Sequence, residues 1–556
     1  MNRRIIGIVC VWSALVFFVP SALWAEQSAL EYASDRPAEE SVESVRGKIG
    51  FIREEVAYLN DKYSSQDEKW KEYVHEADAV TAACEKKLGS PAQGDRAALV
   101  EMEKQLDSLN ARIPLRLPSG PVGPGRFGAY YTYLKYSLSW DKRWRVAADA
   151  DVVVRFDNSG CKFVFWRGTS YVPCWVTENG IWYSNEFCET IDRFASGACE
   201  PISDKQCRYS HVRIIESNDA RVVVHWRYAL TDVQYRLAHA DAATGWNDWA
   251  DEYYTVYPDG VAVRKIVLWS SRLDMWHEFQ EAIVINQPGT KPEDNIEPGA
   301  VTLANLRGES KTYFWTESGA PGFGDQPGDT CIETINLRAK HRPFVIVPPE
   351  GASITSFGGS APGSRFNCWD HWPVSQVASS LRVATGFGRP SHSSLSWVVA
   401  PRQPANKGWV AYEKTDQSIT KLLLHGVTEK TAAELAPLGR SWLRAPKLGL
   451  TVENFISQGY DQAERAYVLN CKQTGESSKL ELTLEASEER PIVNPAFVIE
   501  GWGCAGAAVR INGSRLRPGK DFRFGHRRGL ESTDLIVWIQ RDSVKPIRIE
   551  LASSEG

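Results

Sequence analysis

The sequence predicts a mainly β protein, antiparallel throughout, with an α-helical hairpin in front and a small β-sandwich behind. Three observations predict it. From Tyr130 to about residue 440, short runs rich in Val, Ile, Tyr, Trp and Thr alternate with turn sequences. Residues 36–115 instead place apolar side chains at spacings of three and four, the period of a helix face. Between them, Pro114 to Gly128 is rich in Pro and Gly, which ends helices and opens irregular chain.

In chain order, Arg3 and Arg4, the apolar stretch from Ile5 to Val19 and the small residues of Ser21-Ala22-Leu23-Trp24-Ala25 form an export signal over residues 1–25. The stretch is shorter than the roughly 20 residues a membrane span needs. A secreted or periplasmic chain with no stable membrane insertion is therefore expected, the alternative being a retained anchor. Val42, Val45, Ile49, Ile52, Val56, Leu59 and Tyr63 make one helical stripe; Leu99, Met102, Leu106, Leu109 and Ile113 make a second after the breaker Gly89-Ser90-Pro91. Two stripes joined by a polar turn predict an antiparallel hairpin over residues 36–115.

Strands follow at 151–156, 162–167, 180–185, 211–216, 221–230, 252–257 and 261–269, with Asp157-Asn158-Ser159-Gly160 and Pro258-Asp259-Gly260 as turns. No fixed-length repeat is present, which weighs against a propeller. A short helix at 429–436 and a linker near Arg444-Ala445-Pro446 lead into residues 447–556, whose strands at 479–484, 507–511 and 534–539 predict a separate small β-sandwich.

A net charge of -5 over 556 residues excludes nucleic acid as the main partner, because phosphate binding needs a concentrated basic surface. Eleven cysteines are present; Cys10 leaves with the signal, and the crowded Cys161, Cys174, Cys188, Cys199 and Cys207 make disulfides the expectation for an exported chain. No Cys-x-x-Cys or His-x-x-x-His pair singles out a metal site, no cofactor is implied, and structural calcium is not indicated.

Three constellations carry chemistry. In the run from Arg221 to Tyr228, alternation sets Arg221, His225 and Arg227 opposite Val222, Val224, Trp226 and Tyr228. His211 and Arg213 repeat the His-x-Arg spacing on the preceding strand. A three-residue loop at 218–220 would pair Arg213 with His225 and His211 with Arg227, whereas a two-residue loop would separate them onto opposite faces. The second constellation runs from Trp166-Arg167 to Trp182, where indole rings suit sugar faces and Arg suits carboxylates. Trp166 reads as core, with Arg167 and Trp182 facing a cleft. The third is Trp369-Asp370-His371-Trp372 followed by Arg389-Pro390-Ser391-His392, a loop-like segment whose His371 suits proton transfer near neutral pH. Ordinary surface charge and ordinary core packing are the alternatives for each.

Trp166-Arg-Gly-Thr-Ser-Tyr171, Ser210-His211-Val-Arg213, His225-Trp-Arg227, Asn367 with His371-Trp-Pro-Val-x-Gln376, and Arg389-Pro-Ser-His392 together resemble secreted bacterial polysaccharide lyases of the ulvan-degrading type, over roughly residues 120–440. One departure is the three residues that separate Asn367 from His371. The resemblance implies a large antiparallel β-sandwich, the mutarotase-like super-sandwich, and β-elimination on an anionic, uronic-acid-containing polysaccharide. Such chemistry neutralises a carboxylate, removes the neighbouring proton and protonates the leaving oxygen. Arg167, Arg213 and Arg227 are then expected to bind carboxylate or sulfate, with Trp182, Trp369 and His392 also at the substrate. His225 or His371 is the expected base, and His211 or Tyr254 the acid.

Two rivals remain open. Glycoside hydrolysis needs paired carboxylates roughly 5–10 Å apart, for which Glu178, Glu186, Asp370, Asp251 and Glu252 are available without a distinguishing spacing. A non-catalytic glycan-binding envelope protein would also suit the hairpin and tail. No Gly-x-Ser-x-Gly elbow, phosphate loop or His-Glu-x-x-His helix occurs.

Overall fold

The computed structural model describes parts of residues 42–57, then 68–90, 95–110, 117–136, 149–287, 290–369, 372, 390–398, 409–472 and 479–554. It divides into two units, residues 1–113 and 114–556.

The described residues of the first unit are mainly helical. Val42, Val45, Ile49, Ile52 and Val56 are buried, as are Leu99, Met102, Leu106 and Leu109 of the Arg96–Asn110 helix. Asp95 caps that helix, its Oδ1 accepting from the Ala97 amide at 3.0 Å. A further helix, Glu68–Leu88, lies between the two apolar stripes. Its buried face includes Ala77, Thr81 and Cys84, small side chains that leave a weak apolar period in the sequence. Leu59, Tyr63 and Ile113 lie outside the described residues.

The second unit is mainly β and antiparallel, and its larger part is a sandwich of an eight-stranded and a ten-stranded sheet. In the ten-stranded sheet, the central run is Ser418–Thr428, Val261–Trp269, Trp249–Val256, Val222–Ala229 and, at one edge, His211–Ser217. In the eight-stranded sheet, Pro173–Val176, Trp182–Ser184, Glu281–Asn286 and Ser391–Val398 are successive neighbours. The inner faces meet through large rings: Phe163 stacks on Trp175 at 4.4 Å, and Phe163 meets Tyr254 at 5.3 Å. Rings of this size each bury a large apolar area, which favours folding. The turn at Asp259-Gly260 favours glycine, since Gly260 has φ +74, a backbone conformation that residues with a Cβ rarely adopt.

Residues from Lys447 onward form two five-stranded sheets around Leu469, Leu482, Phe497, Val537 and Ile549. The pair Ala466–Cys471 and Ala496–Glu500 is parallel, a departure from the otherwise antiparallel plan. This smaller sandwich is fixed to the larger one by Arg221–Glu464 (2.6 Å), Arg465–Asp259 (2.9 Å) and a shared core of Ala220, Tyr257, Val498 and Trp538.

The expected disulfides do not form. Cys161, Cys174, Cys188, Cys199 and Cys207 are all free thiols, and all are buried. Cys161, Cys174 and Cys188 sit singly among core side chains, so closeness in sequence does not become sulfur-to-sulfur closeness. Among the described residues no helix is long and apolar enough to cross a membrane.

Candidate functional site

The hairpin of His211–Ser217 and Val222–Ala229 pairs His211 with Arg227 and Arg213 with His225. This is the pairing a three-residue loop would give, reached by another route. The loop spans four residues, 218–221, and a bulge between Ile214 and Glu216 takes up the extra one. On the other side, His225 faces Tyr253 and Arg227 faces Asp251 across the Trp249–Val256 strand. Residues directly opposite in a sheet share a face, so one surface carries His211, Arg213, His225, Arg227, Asp251 and Tyr253.

These side chains form a continuous polar chain. Arg213 Nε donates to His225 Nδ1 at 3.1 Å, and His225 Nε2 lies 2.7 Å from Asp251 Oδ1. A guanidinium only donates, so Nδ1 is the acceptor and the ring proton sits on Nε2, facing the carboxylate. Asp251 Oδ2 accepts from Arg227 at 2.7 Å and from the Trp269 indole at 3.0 Å. Burial would raise the Asp251 carboxyl, but His225 and Arg227 hold it below its ordinary value. Tyr253 stacks on His225 at 4.5 Å with its ring nearly parallel. Burial, with Asp251 nearby, raises the Tyr253 phenol, which therefore keeps its proton at neutral pH. Arg227 lies over the Trp249 ring at 5.0 Å. The Arg227 side chain is 40% exposed and Trp269 38%, while His211 and Arg213 are also exposed. Cations and indole faces are thus accessible here, while the carboxylate-held imidazole of His225 is buried among them, 6% exposed.

The same strands present a second network inward. Arg264 makes a two-pronged pair with Glu252 (2.7 Å each), both side chains 0% exposed. Tyr228 donates to Glu252 Oε1 at 2.6 Å and Tyr254 donates to Oε2. Arg264 also donates to the Asn185 and Phe279 carbonyls at 3.0 and 2.9 Å. Tyr254 is therefore turned away from His225, and the outer face carries its neighbour Tyr253 instead.

The other expected site residues lie elsewhere. Arg167 is buried, against Asp149 and the Tyr171 hydroxyl at 3.2 Å each. Trp182 is buried edge-on to Trp166 at 6.4 Å. Trp369 and His392 exchange backbone hydrogen bonds of 2.9 Å at the eight-stranded sheet, where the His392 ring is 5.5 Å from Trp372. His371, Asp370 and Arg389 lie outside the described residues. Sequence reasoning missed Tyr253, Trp249 and Trp269. Their parity with Asp251 was the available signal, but choosing it required knowing which face is core.

Metal-ligating side chains also gather away from this surface. His239 Nδ1 and His277 Nε2 converge on Asp248 Oδ2 at 2.6 and 2.8 Å. His341 lies 2.9 Å from Glu178, which accepts from the Cys161 thiol at 3.7 Å. A cavity of about 900 Å³ on the ten-stranded sheet is lined by Thr302, Phe314, Asn336, Arg338 and Arg342 among others, none from the His225 network.

No family model matches the chain, and none of the curated proteins matches it. Solved structures do. A galactose 1-epimerase from Lactobacillus acidophilus is similar at 8% identity and TM-score 0.24, over 54% of this chain and 99% of that one. A heparan sulfate lyase from Pedobacter heparinus is similar at 9% identity and TM-score 0.23, over 84% of this chain and 67% of that one. A Paenibacillus xanthan lyase is similar at 9% identity and TM-score 0.24, over 87% of this chain and 44% of the lyase, less than half its length. Likenesses this slight assign neither a site nor an activity.

Proposed function

We propose that this chain is a secreted polysaccharide lyase that cleaves a uronic-acid-containing polysaccharide, with sulfated, ulvan-like glycans the first class to assay. One observation carries the reading: His225, itself buried, is held between Arg213 and Asp251 on a face that also offers the partly exposed Arg227, Tyr253, Trp249 and Trp269.

In this reading the Arg213 guanidinium leaves His225 for the substrate carboxylate, with Arg227 as the second cation. That movement opens Nδ1, the only lone pair of the neutral ring, to take the proton on the carbon beside the carboxylate. Asp251 accepts from Nε2 and steadies the imidazolium that forms, a positioning role. The carbon–oxygen bond breaks, a carbon–carbon double bond forms, and the leaving oxygen takes a proton from the Tyr253 phenol or from His211. Indole rings at Trp249 and Trp269 support the sugar face.

The test is incubation of the full chain with uronic-acid polysaccharides while following absorbance of the unsaturated product. Product that disappears in His225→Ala supports the reading. New reducing ends without that absorbance indicate hydrolysis, and binding without cleavage indicates a glycan-binding protein; either outcome removes it.

A further inference from the structure

Five glutamates, Glu186, Glu189, Glu200, Glu278 and Glu281, are drawn together inside the large sandwich. Glu186 follows the Trp182–Ser184 strand, Glu278 lies on a short strand paired to Glu189, and Glu281 opens the Glu281–Asn286 strand. Register explains the meeting: Ser184 faces Ile283, which brings the ends of these segments side by side. Glu186 is 5%, Glu278 3% and Glu281 8% exposed. Glu186 is acted on by the carboxyl groups of Glu281, Glu189, Glu278 and Glu200, each of which opposes its ionisation. Burial and mutual repulsion make such a cluster costly to hold without a counter-charge. Glu189 and Glu200 relieve part of the strain by hydrogen-bonding one another, which requires a proton between them.

Of the other three, Glu281 is eased by a hydrogen bond from the Ser394 hydroxyl. One carboxylate oxygen from each of Glu186, Glu278 and Glu281 lies within 4.8 Å of the others. Separately, among the described residues no hydrogen-bond donor meets the buried Glu186 Oε2 or Glu278 Oε1. A buried carboxylate oxygen with no donor is costly, so the pair points to a missing positive partner. Calcium binds oxygens at roughly 2.3–2.6 Å, which places two ligands of one ion at most about 5 Å apart. The three oxygens fit that limit, and an all-oxygen, all-carboxylate set selects a hard cation.

We propose that Glu186, Glu278 and Glu281 form a binding site for a hard divalent cation of the calcium class, tying together three segments of the sandwich. The site is separate from the His225 surface and does not depend on the lyase reading.

The experiment strips the full-length protein with a chelator, returns CaCl2 or MgCl2, and measures bound metal and melting temperature. One retained equivalent of calcium is expected, with melting several degrees above the chelated form. Glu278→Gln and Glu186→Gln keep the side-chain shape but remove one charge. Each is expected to weaken calcium at least tenfold and to erase the calcium-dependent shift, while His277→Gln keeps both and so separates this site from the His239–Asp248–His277 cluster. Wild-type protein that retains no ion and melts identically in calcium and chelator overturns the proposal. So do glutamine variants that hold calcium as tightly as wild type.

Discussion

The two faces of the Val222–Ala229 and Trp249–Val256 strands hold almost the same chemistry to opposite effect. Outward stand Arg227, Asp251, His225 and Tyr253; inward stand Glu252, Tyr228 and Tyr254, closed by Arg264 from the next strand. Each face has a guanidinium–carboxylate pair at 2.7 Å with tyrosine beside it. The inner pair is sealed, and both Glu252 oxygens and all the hydroxyls around them are occupied. On the outer face Arg213 is exposed and its hold on His225 is a single hydrogen bond, which a ligand carboxylate can replace. One residue of register therefore separates groups that hold the fold from groups able to meet a substrate.

The largest expected effect breaks the inner face. Glu252→Ala leaves the Arg264 guanidinium buried without its partner, a change that costs about 3–5 kcal/mol when a buried pair loses one member. Chemical denaturation should show the loss, and a stability within about 1 kcal/mol of wild type would mean the inner network contributes little. Its outer counterpart, His225→Ala, should reverse the pattern. Lyase turnover falls about 10²–10⁴-fold, the range of a lost general base, while the denaturation midpoint falls less than in Glu252→Ala.

How much of this was legible depends on which face the sequence advertises. Alternation along 221–228 identified the polar and apolar sides, because Val222, Val224, Trp226 and Tyr228 are unambiguously core. Along Trp249–Val256 the inward side instead carries Glu252 and Tyr254, polar residues that only their partners make interior. Period-two reading had only Ala250 and Val256 as apolar references there, so Tyr254 rather than Tyr253 was favoured. Arg167 and Trp182 misled for the same reason: residue type suggested a cleft, whereas Asp149, Tyr171 and Trp166 supply partners in the interior. The bulge at Ile215 was beyond reach, because a local insertion that restores register leaves no composition signal. Mainly β architecture, by contrast, followed from many strands and survives any single misreading.

A pH series sharpens the inner half of the comparison. Burial pushes the Glu333 carboxyl up to about 7, although the Ser396 hydroxyl donates to it and pulls the other way. Tyr183 faces the same carboxyl from the opposite sheet. The folded state binds this proton more tightly than the unfolded chain, so its contribution is complete below about 4.5 and lost as pH rises to about 7. Glu333→Gln mimics the protonated form and should flatten that part of the profile, a difference on the order of 2–3 kcal/mol between the two ends of the window. Glu189 rises to about 7 as well, so the measurement is the difference between variant and wild-type slopes. Parallel profiles would mean Glu333 titrates normally.

The smallest and most discriminating test exchanges neighbours. Tyr254→Phe removes a hydroxyl that donates to a buried, charged carboxylate, which should lower stability by about 1–2 kcal/mol and leave turnover alone. Tyr253→Phe removes a hydroxyl on the accessible face and keeps the ring stacked on His225, so stability should move by less than about 0.5 kcal/mol. Turnover should fall about tenfold rather than vanish, because His211 on the edge strand can also deliver a proton. The two variants differ by one position in sequence and by the whole thickness of the sheet in surroundings. If turnover falls in Tyr254→Phe and holds in Tyr253→Phe, chemistry belongs to the inner face, and the division between a sealed network and an accessible one is drawn the wrong way round.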